Sequence, residues 1–205
     1  MDLRWLEWGK QLEAIAQNGL TYTEGVFDRE RYKSLQAIAS EILVTYSNVE
    51  PTYILDLFSQ EIGYATPKVA VRGAIFRDDR ILLVRERADG CWTVPGGWVD
   101  VGESPSEAIV REVSEESGYQ TRAIKLLGVY DNHKHGHPPA RHHGYKLFIL
   151  CELLGGSPVE NIETDEVEFF SEHEIPELSL SRVTPSQITR LFEHHRQPDL
   201  PSDFD

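Results

Sequence analysis

Glu112, Glu115 and Glu116 stand at i, i+3 and i+4, so on a helix their carboxylates leave from one face, close to one another. Bunching like charges in this way costs an isolated helix roughly 0.2 to 0.5 kcal/mol per pair. A hard divalent cation with oxygen ligands, Mg2+ or Mn2+, offsets that repulsion and leaves positions for water and phosphate. For three glutamates taken alone, a solvated acidic helix face is the alternative. The helix is announced by Ser104-Pro105-Ser106-Glu107, a capping box with proline at the first helical position, and it closes at Gly118.

The wider context decides between the two. Gly97, Glu103, Arg111, Glu112, Glu115, Glu116 and Gly118, with Val113 as an aliphatic, sit in the order and spacing of a Nudix box. At background usage of about 6% per residue, seven matched identities arise by chance on the order of once in a million. Tyr119 departs from the pattern, which asks for an aliphatic there, and this bears on packing under the helix more than on chemistry. The stretch therefore resembles the Nudix hydrolases. Beyond the box, the segments A-I-A-Q-N-G-L-T-Y-T, F-D-R-E-R-Y, W-T-V-P-G-G-W-V-D-V-G and E-T-D-E-V-E-F-F are similar to a bacterial subgroup of CDP-choline and ADP-ribose pyrophosphatases with an N-terminal helical domain.

The resemblance implies an α/β (α+β) fold, an α/β/α sandwich with a mixed sheet, and hydrolysis of a nucleoside diphosphate linked to another moiety, CDP-choline first and ADP-ribose next. Glu112, Glu115 and Glu116 would hold Mg2+ or Mn2+, with the Gly97 carbonyl as a further ligand, and Glu103 and Arg111 would form a fixing ion pair. Divalent cations neutralise diphosphate oxygens and acidify water for attack on phosphorus. The proton acceptor stays open between Glu112 and a downstream carboxylate among Glu163, Asp165 and Glu166. The resemblance further implies a homodimer in which the helical prefix takes part.

Outside the box, Trp92, Arg85, Lys134, Arg141 and Tyr145 are the candidates for contact with substrate: cations for phosphate, and aromatic faces, Trp98 among them, for a base or a quaternary ammonium. Core packing is the competing assignment for each aromatic. Residues 131–144 carry His133, His135, His137, His142 and His143. That density invites zinc, but H-x-H-x-H in a proline-containing loop lacks the framework of a structural site, and a mobile wall meeting phosphates is the preferred reading over zinc or a plain solvent loop.

These residues must be positioned by the elements around them. Apolar spacing predicts a helix over 2–18 ending at Asn18-Gly19, a second capped by Asp28 and running to about Ser47, and a weaker third over 52–62. Residues 1–66 thus form a helical domain, and 67–205 the catalytic one. Strands are expected at 69–76 and 81–84 as a hairpin, then at 91–94, 125–130, 145–153 and 167–170. Thr184-Pro185-Ser186-Gln187 opens a last helix to about His195, followed by a frayed or lightly docked tail.

Composition sets the limits. The 34 acidic and 20 basic side chains leave a formal charge of −14, which disfavours bulk duplex nucleic acid and anionic membrane surfaces without a local basic patch. Residues 120–150 supply one, with five Lys or Arg against one acid. An RNA-directed enzyme, with nucleic acid as a secondary substrate, and a non-catalytic nucleotide sensor are the rival functions. Cys91 and Cys151, far apart, read as reduced core residues, and no signal peptide or roughly 20-residue apolar span is seen. A cytoplasmic protein that does not enter membranes is expected.

Overall fold

The computed structural model describes residues 4–46, 63–138, 140, 142–159 and 161–205, and the chain divides into two compact units, Met1–Thr66 and Pro67–Asp205. In the first unit, α1 spans Arg4–Tyr22 and α2 spans Val26–Tyr46. The predicted stop at Asn18-Gly19 is not a stop. A Cβ on Gly19 would lie 2.3 Å from the Tyr32 ring, so this glycine is a point of close helix approach, and Asn18 turns its Oδ1 to accept from the Ala65 amide at 2.6 Å. Nor does Asp28 cap α2. It lies within the first turn and pairs with Arg31 three residues on. The predicted helix over 52–62 lies outside the described residues.

The second unit is a mixed sheet between two helices, the expected sandwich. Strands β1 (Lys68–Arg77), β2 (Arg80–Glu86), β3 (Trp92–Thr93), β4 (Tyr119–Asp131), β5 (Gly144–Gly156), β6 (Thr164–Phe170) and β7 (Asp203–Phe204) run in the order β3-β2-β1-β5-β4-β7, with β6 also on β2. β1 and β5 are parallel, and β4 and β5 antiparallel. Period-two alternation divides the core into two layers. Val71, Ile75, Leu82 and Ile149 meet Ala108, Ile109 and Val113 of α3 (Pro105–Ser117). Ala74, Ile81, Leu83 and Phe148 meet Ile188, Leu191 and Phe192 of α4 (Pro185–Arg196). Each buried aliphatic side chain contributes about 1.5 to 3 kcal/mol. Tyr119 is itself buried, edge-on to Phe169.

β1 and β2 pair only at their hairpin end, Phe76 with Ile81 and Arg77 with Arg80. Asp78 and Asp79, at φ 51° and 58°, form the turn between them, the left-handed pair that a tight hairpin requires. Along the rest of β1 the partner is the segment after β3. Gly73 donates its amide to the Pro95 carbonyl at 2.8 Å, Val71 to Gly97 at 2.9 Å, and Val99 to Val69 at 3.0 Å. The Pro95-Gly96-Gly97 turn is thereby locked against the sheet and beneath α3.

α3 carries both ends as the sequence predicts: the Ser104–Glu107 capping box, and Gly118 in the left-handed region at φ 75°. The sequence-based strand limits proved short, because β4 begins directly after Gly118 and β5 runs on to Gly156. Cys151 is buried, whereas Cys91 is partly exposed instead of belonging to the core; both thiols are free. No helix among the described residues is long and apolar enough to cross a membrane.

The tail is not frayed. β7 pairs in parallel with β4, and Asp203 accepts from Arg190 Nε and Nη2 at 2.6 and 2.7 Å and from the Tyr130 hydroxyl at 2.8 Å, with His194 Nε2 at 3.1 Å. Arg190 above all, helped by Tyr130 and His194, holds this carboxyl below the ordinary carboxylate range. A depressed folded-state value stabilises the fold above the unfolded value of about 3.9 and ceases to do so as pH falls. Asp203→Ala is expected to lose about 2 kcal/mol at pH 7. In urea melts the gap from wild type should narrow steadily below about pH 4; an equal gap at pH 3 and pH 7 would contradict the ion-pair account.

Candidate active site

α3 brings Glu112, Glu115 and Glu116 to the wall of a cavity of about 860 Å3 in the second unit, with Gly96 and Gly97 beside them. Glu112 and Glu116 are buried and Glu115 is exposed. Arg111 ties the cluster together. Its Nε and Nη2 each reach a Glu103 oxygen at 2.8 Å, while Nη1 donates to Glu112 and Glu115 at 3.0 Å. This fork-to-fork pairing holds Glu103 below its usual range.

Glu116 accepts the Gly96 amide at 2.8 Å. Burial pushes its carboxyl up to about 8, against the pull of Arg72, and burial raises Glu112 against the pull of Arg111. Gly97 stands so close that a Cβ would lie 2.5 Å from Glu112 Oε1. Its carbonyl accepts the Val71 amide, and a carbonyl oxygen keeps a second lone pair.

Basic side chains line the same cavity. Arg72 is buried under the turn, donating through Nη1 to the Gly96 and Val94 carbonyls, and its Nε has no partner among the described residues. Lys146 is buried on β5 and donates to the Ser181 and Arg182 carbonyls at 2.8 and 2.7 Å. Burial, with Arg72 and Arg182 nearby, drives its ammonium down to about 6. Arg182 pairs with buried Glu86 at 2.7 Å. Asn161 braces the opposite rim, donating to the Glu115 carbonyl at 2.6 Å while its Oδ1 accepts the Glu163 and Thr164 amides.

Residues 66–192 match the model described as NUDIX domain, and residues 3–58 the one described as UDP-X-like, N-terminal oligomerisation domain. The chain belongs to the Nudix family. It is 47% identical to "Putative ADP-ribose pyrophosphatase YjhB" of Bacillus subtilis over all of this chain and 99% of that one. A crystal structure of an ADP-ribose pyrophosphatase from Streptococcus suis is similar at 42% identity and TM-score 0.63, covering 68% of this chain and 100% of the other. A UDP-X diphosphatase structure is similar at 33% identity and TM-score 0.64 over 98% of both. The protein is thus a Nudix hydrolase.

The structure redistributes the other sequence-based candidates for this hydrolase. Trp92 is a core residue, edge-on to Phe170 at 4.8 Å, and not a wall of the cavity. Arg85 and Glu166 pair with each other across β2 and β6, away from the cavity lining. Glu163 does line it. Tyr145 meets His143 edge-on at 5.5 Å and Lys134 is exposed; neither lines the cavity, whereas Trp98 and His142 do. Arg141 lies outside the described residues. The cations Arg72, Lys146 and Arg182 escaped sequence reasoning. The signal for two of them was a charge inside an apolar strand run, V-A-V-R-G-A-I-F and Y-K-L-F-I-L.

Gly96 adopts φ +143°, and a Cβ there would lie 2.1 Å from the Val71 carbonyl oxygen; Gly102, at φ +98°, would meet nothing within 4 Å. Gly102→Ala should therefore cost only backbone strain, about 1 to 2 kcal/mol. Gly96→Ala should cost roughly 3 kcal/mol or more because the turn must leave the sheet. Paired thermal melts check the ranking, and equal losses would refute the clash.

Proposed function

We propose that this Nudix hydrolase is a divalent-cation-dependent pyrophosphohydrolase. It splits a nucleoside diphosphate linked to a second moiety into a nucleoside monophosphate and the phosphorylated remainder. The observation that carries this reading is that one cavity is lined both by the carboxylates Glu112, Glu115 and Glu116 and by the basic side chains Arg72, Lys146 and Arg182. A diphosphate needs both: cations for its oxygens, and carboxylates to hold the metal that shares them.

The donor set fits a hard cation. It is all oxygen, two of its members are buried, and the protein cation in hydrogen-bond contact with Glu112 and Glu115 is Arg111. Mg2+ suits it, and Mn2+ next. When bound, the cation supplies charge neutralisation on the phosphate oxygens and lowers the pKa of the attacking water. The chain's own residues do the rest. Arg111, fixed by Glu103, keeps Glu112 and Glu115 in register, and the Gly96 amide fixes Glu116. Water adds to one phosphorus, the bridging oxygen departs with the other phosphate, and a proton passes to a carboxylate. Glu112 takes it, and Glu163 is the downstream alternative on the same cavity.

ADP-ribose now stands ahead of CDP-choline as substrate. A relative matched along its length is named "Putative ADP-ribose pyrophosphatase YjhB", and a solved relative is titled an ADP-ribose pyrophosphatase. The aromatic enclosure a choline head requires lacks two members, since Trp92 is in the core and Tyr145 is off the cavity. The protein acts as a homodimer through its first unit, a reading supported by the oligomerisation-domain match and by exposed Phe27 and Ile38 on α2. It works in the cytoplasm, as its free thiols favour.

Glu116→Gln keeps an oxygen to accept the Gly96 amide and removes an ionisable carboxyl from a crowded buried cluster, so metal-free thermal stability should not fall. kcat should fall at least about 100-fold on ADP-ribose with Mg2+. A panel of ADP-ribose, CDP-choline, NADH, dinucleoside polyphosphates and capped RNA, each with Mg2+ and Mn2+, identifies the linked moiety. Full activity of Glu116→Gln, or activity that survives chelation, would overturn the reading.

A further inference from the structure

The histidine-rich loop leaves a cluster that the cavity does not use. Asp131 ends β4, His133 follows two residues on, and His143 immediately precedes β5. One ligand atom from each lies within 4.8 Å of the other two. His143 Nε2 is 3.1 Å from Asp131 Oδ2, and His133 Nδ1 is 3.9 Å from Asp131 Oδ1. Donors at about 2.0 to 2.1 Å from a tetrahedral metal are separated by about 3.3 Å, so His143 already stands at about that distance from one Asp131 oxygen, while His133, 3.9 Å from the other oxygen, would move inward to share an ion with it. The imidazoles lie with centroids 4.8 Å apart and planes inclined by 32°.

The aspartate is held in place before any ion arrives. Its Oδ1 accepts the His133 amide at 2.9 Å, and its own amide donates to the Asp205 carboxylate at 2.6 Å. The His133 and His143 side chains are 25% and 42% exposed, within reach of an ion from solution.

We propose that Asp131, His133 and His143 form a second metal site, for a borderline divalent ion of the Zn2+, Co2+ or Ni2+ class, with water in the remaining position. Two imidazoles and one carboxylate favour such ions over Mg2+, the reverse of the all-carboxylate set on α3. The ion would join the two ends of the 131–144 loop, whose Ala140 and His142 line the cavity. Occupancy would therefore stiffen one wall of the active site without touching the reacting phosphorus. The site stands on its own geometry, whether or not the cavity cleaves diphosphates.

The test is calorimetric titration of the tag-free, full-length protein with Zn2+ in a large excess of Mg2+, which occupies the α3 carboxylates. Wild type should bind one equivalent. His143→Ala and Asp131→Asn should each weaken binding by at least about tenfold, while Glu115→Gln/Glu116→Gln and His135→Ala should retain it. Circular dichroism of each variant verifies folding, and Asp131→Asn keeps an oxygen for the His133 amide should the alanine variant misfold. Co2+ should give the visible absorption of a four-coordinate ion in wild type and lose it in His143→Ala. The proposal is overturned if zinc does not bind, if His135→Ala weakens it as much as His143→Ala does, or if zinc binding vanishes with the α3 glutamates.

Discussion

Packing three carboxylates into the last turns of one helix, two of them buried, is the constraint on which the rest of the second unit depends. Each is answered locally. Arg111 spans Glu103, Glu112 and Glu115, and the Gly96 amide answers Glu116. The answers are partial, since Glu112 and Glu116 both remain above their ordinary range because burial outweighs the nearby cations. A site arranged in this way stores electrostatic strain that a bound cation can release, and it stores it on a rigid helix whose two ends are capped.

That helix could not present its acids to a cavity if the sheet below were continuous. β2 leaves β1 after the hairpin end, and the Pro95-Gly96-Gly97 turn takes its place along β1. Backbone thus replaces side chain at the point where α3 comes nearest. The Gly96 amide points at Glu116, the Gly97 α-carbon lies against Glu112, and the Arg72 guanidinium holds the Gly96 carbonyl from beneath. The two glycines and the buried arginine form one device. The glycines admit the carboxylates, and the arginine fixes the turn and places a permanent positive charge below them.

How far this was legible in the sequence follows from which interactions are local. Caps, glycine spacing and the i, i+3, i+4 acids are short-range features, and the Nudix assignment, the sandwich and α3 rest on them. The sequence leaves the tail open between frayed and lightly docked because its anchoring is long-range. Nothing in P-D-L-P-S-D-F-D reveals that Asp203 will meet Arg190 and Tyr130. Gly19 looks like a helix end until Tyr32 is seen against it. Trp92 and Tyr145 carried the right chemistry for a ligand, but a strand's alternation does not say which face will line a cavity. Arg72 and Lys146 were visible as charges within apolar runs, and the lesson is physical. A buried cation is costly enough that its presence in a core strand marks a site that repays it.

The formal charge of −14 turns out to say little about the site, because at physiological ionic strength charges more than about 8 Å apart through solvent are largely screened. What a diphosphate meets is the cavity lining. Among the described residues that lining holds Arg72, Arg111, Lys146 and Arg182 against Glu86, Asp100, Glu112, Glu115, Glu116 and Glu163. By formal charge the acids outnumber the bases by two, so the cavity carries the same sign as the ligand; burial acts on both sides of that count, lowering Lys146 and raising Glu86, Glu112 and Glu116. One divalent cation would cancel the formal excess and a second would reverse it. In the proposed reading the lining cations would then do what they cannot do alone: Arg72 and Arg182 are each largely committed, one to backbone carbonyls and the other to Glu86, and they would serve to orient an anion once a cation had neutralised the carboxylates. Under the proposed function, affinity for the diphosphate and affinity for the cation would therefore be two readings of one charge balance.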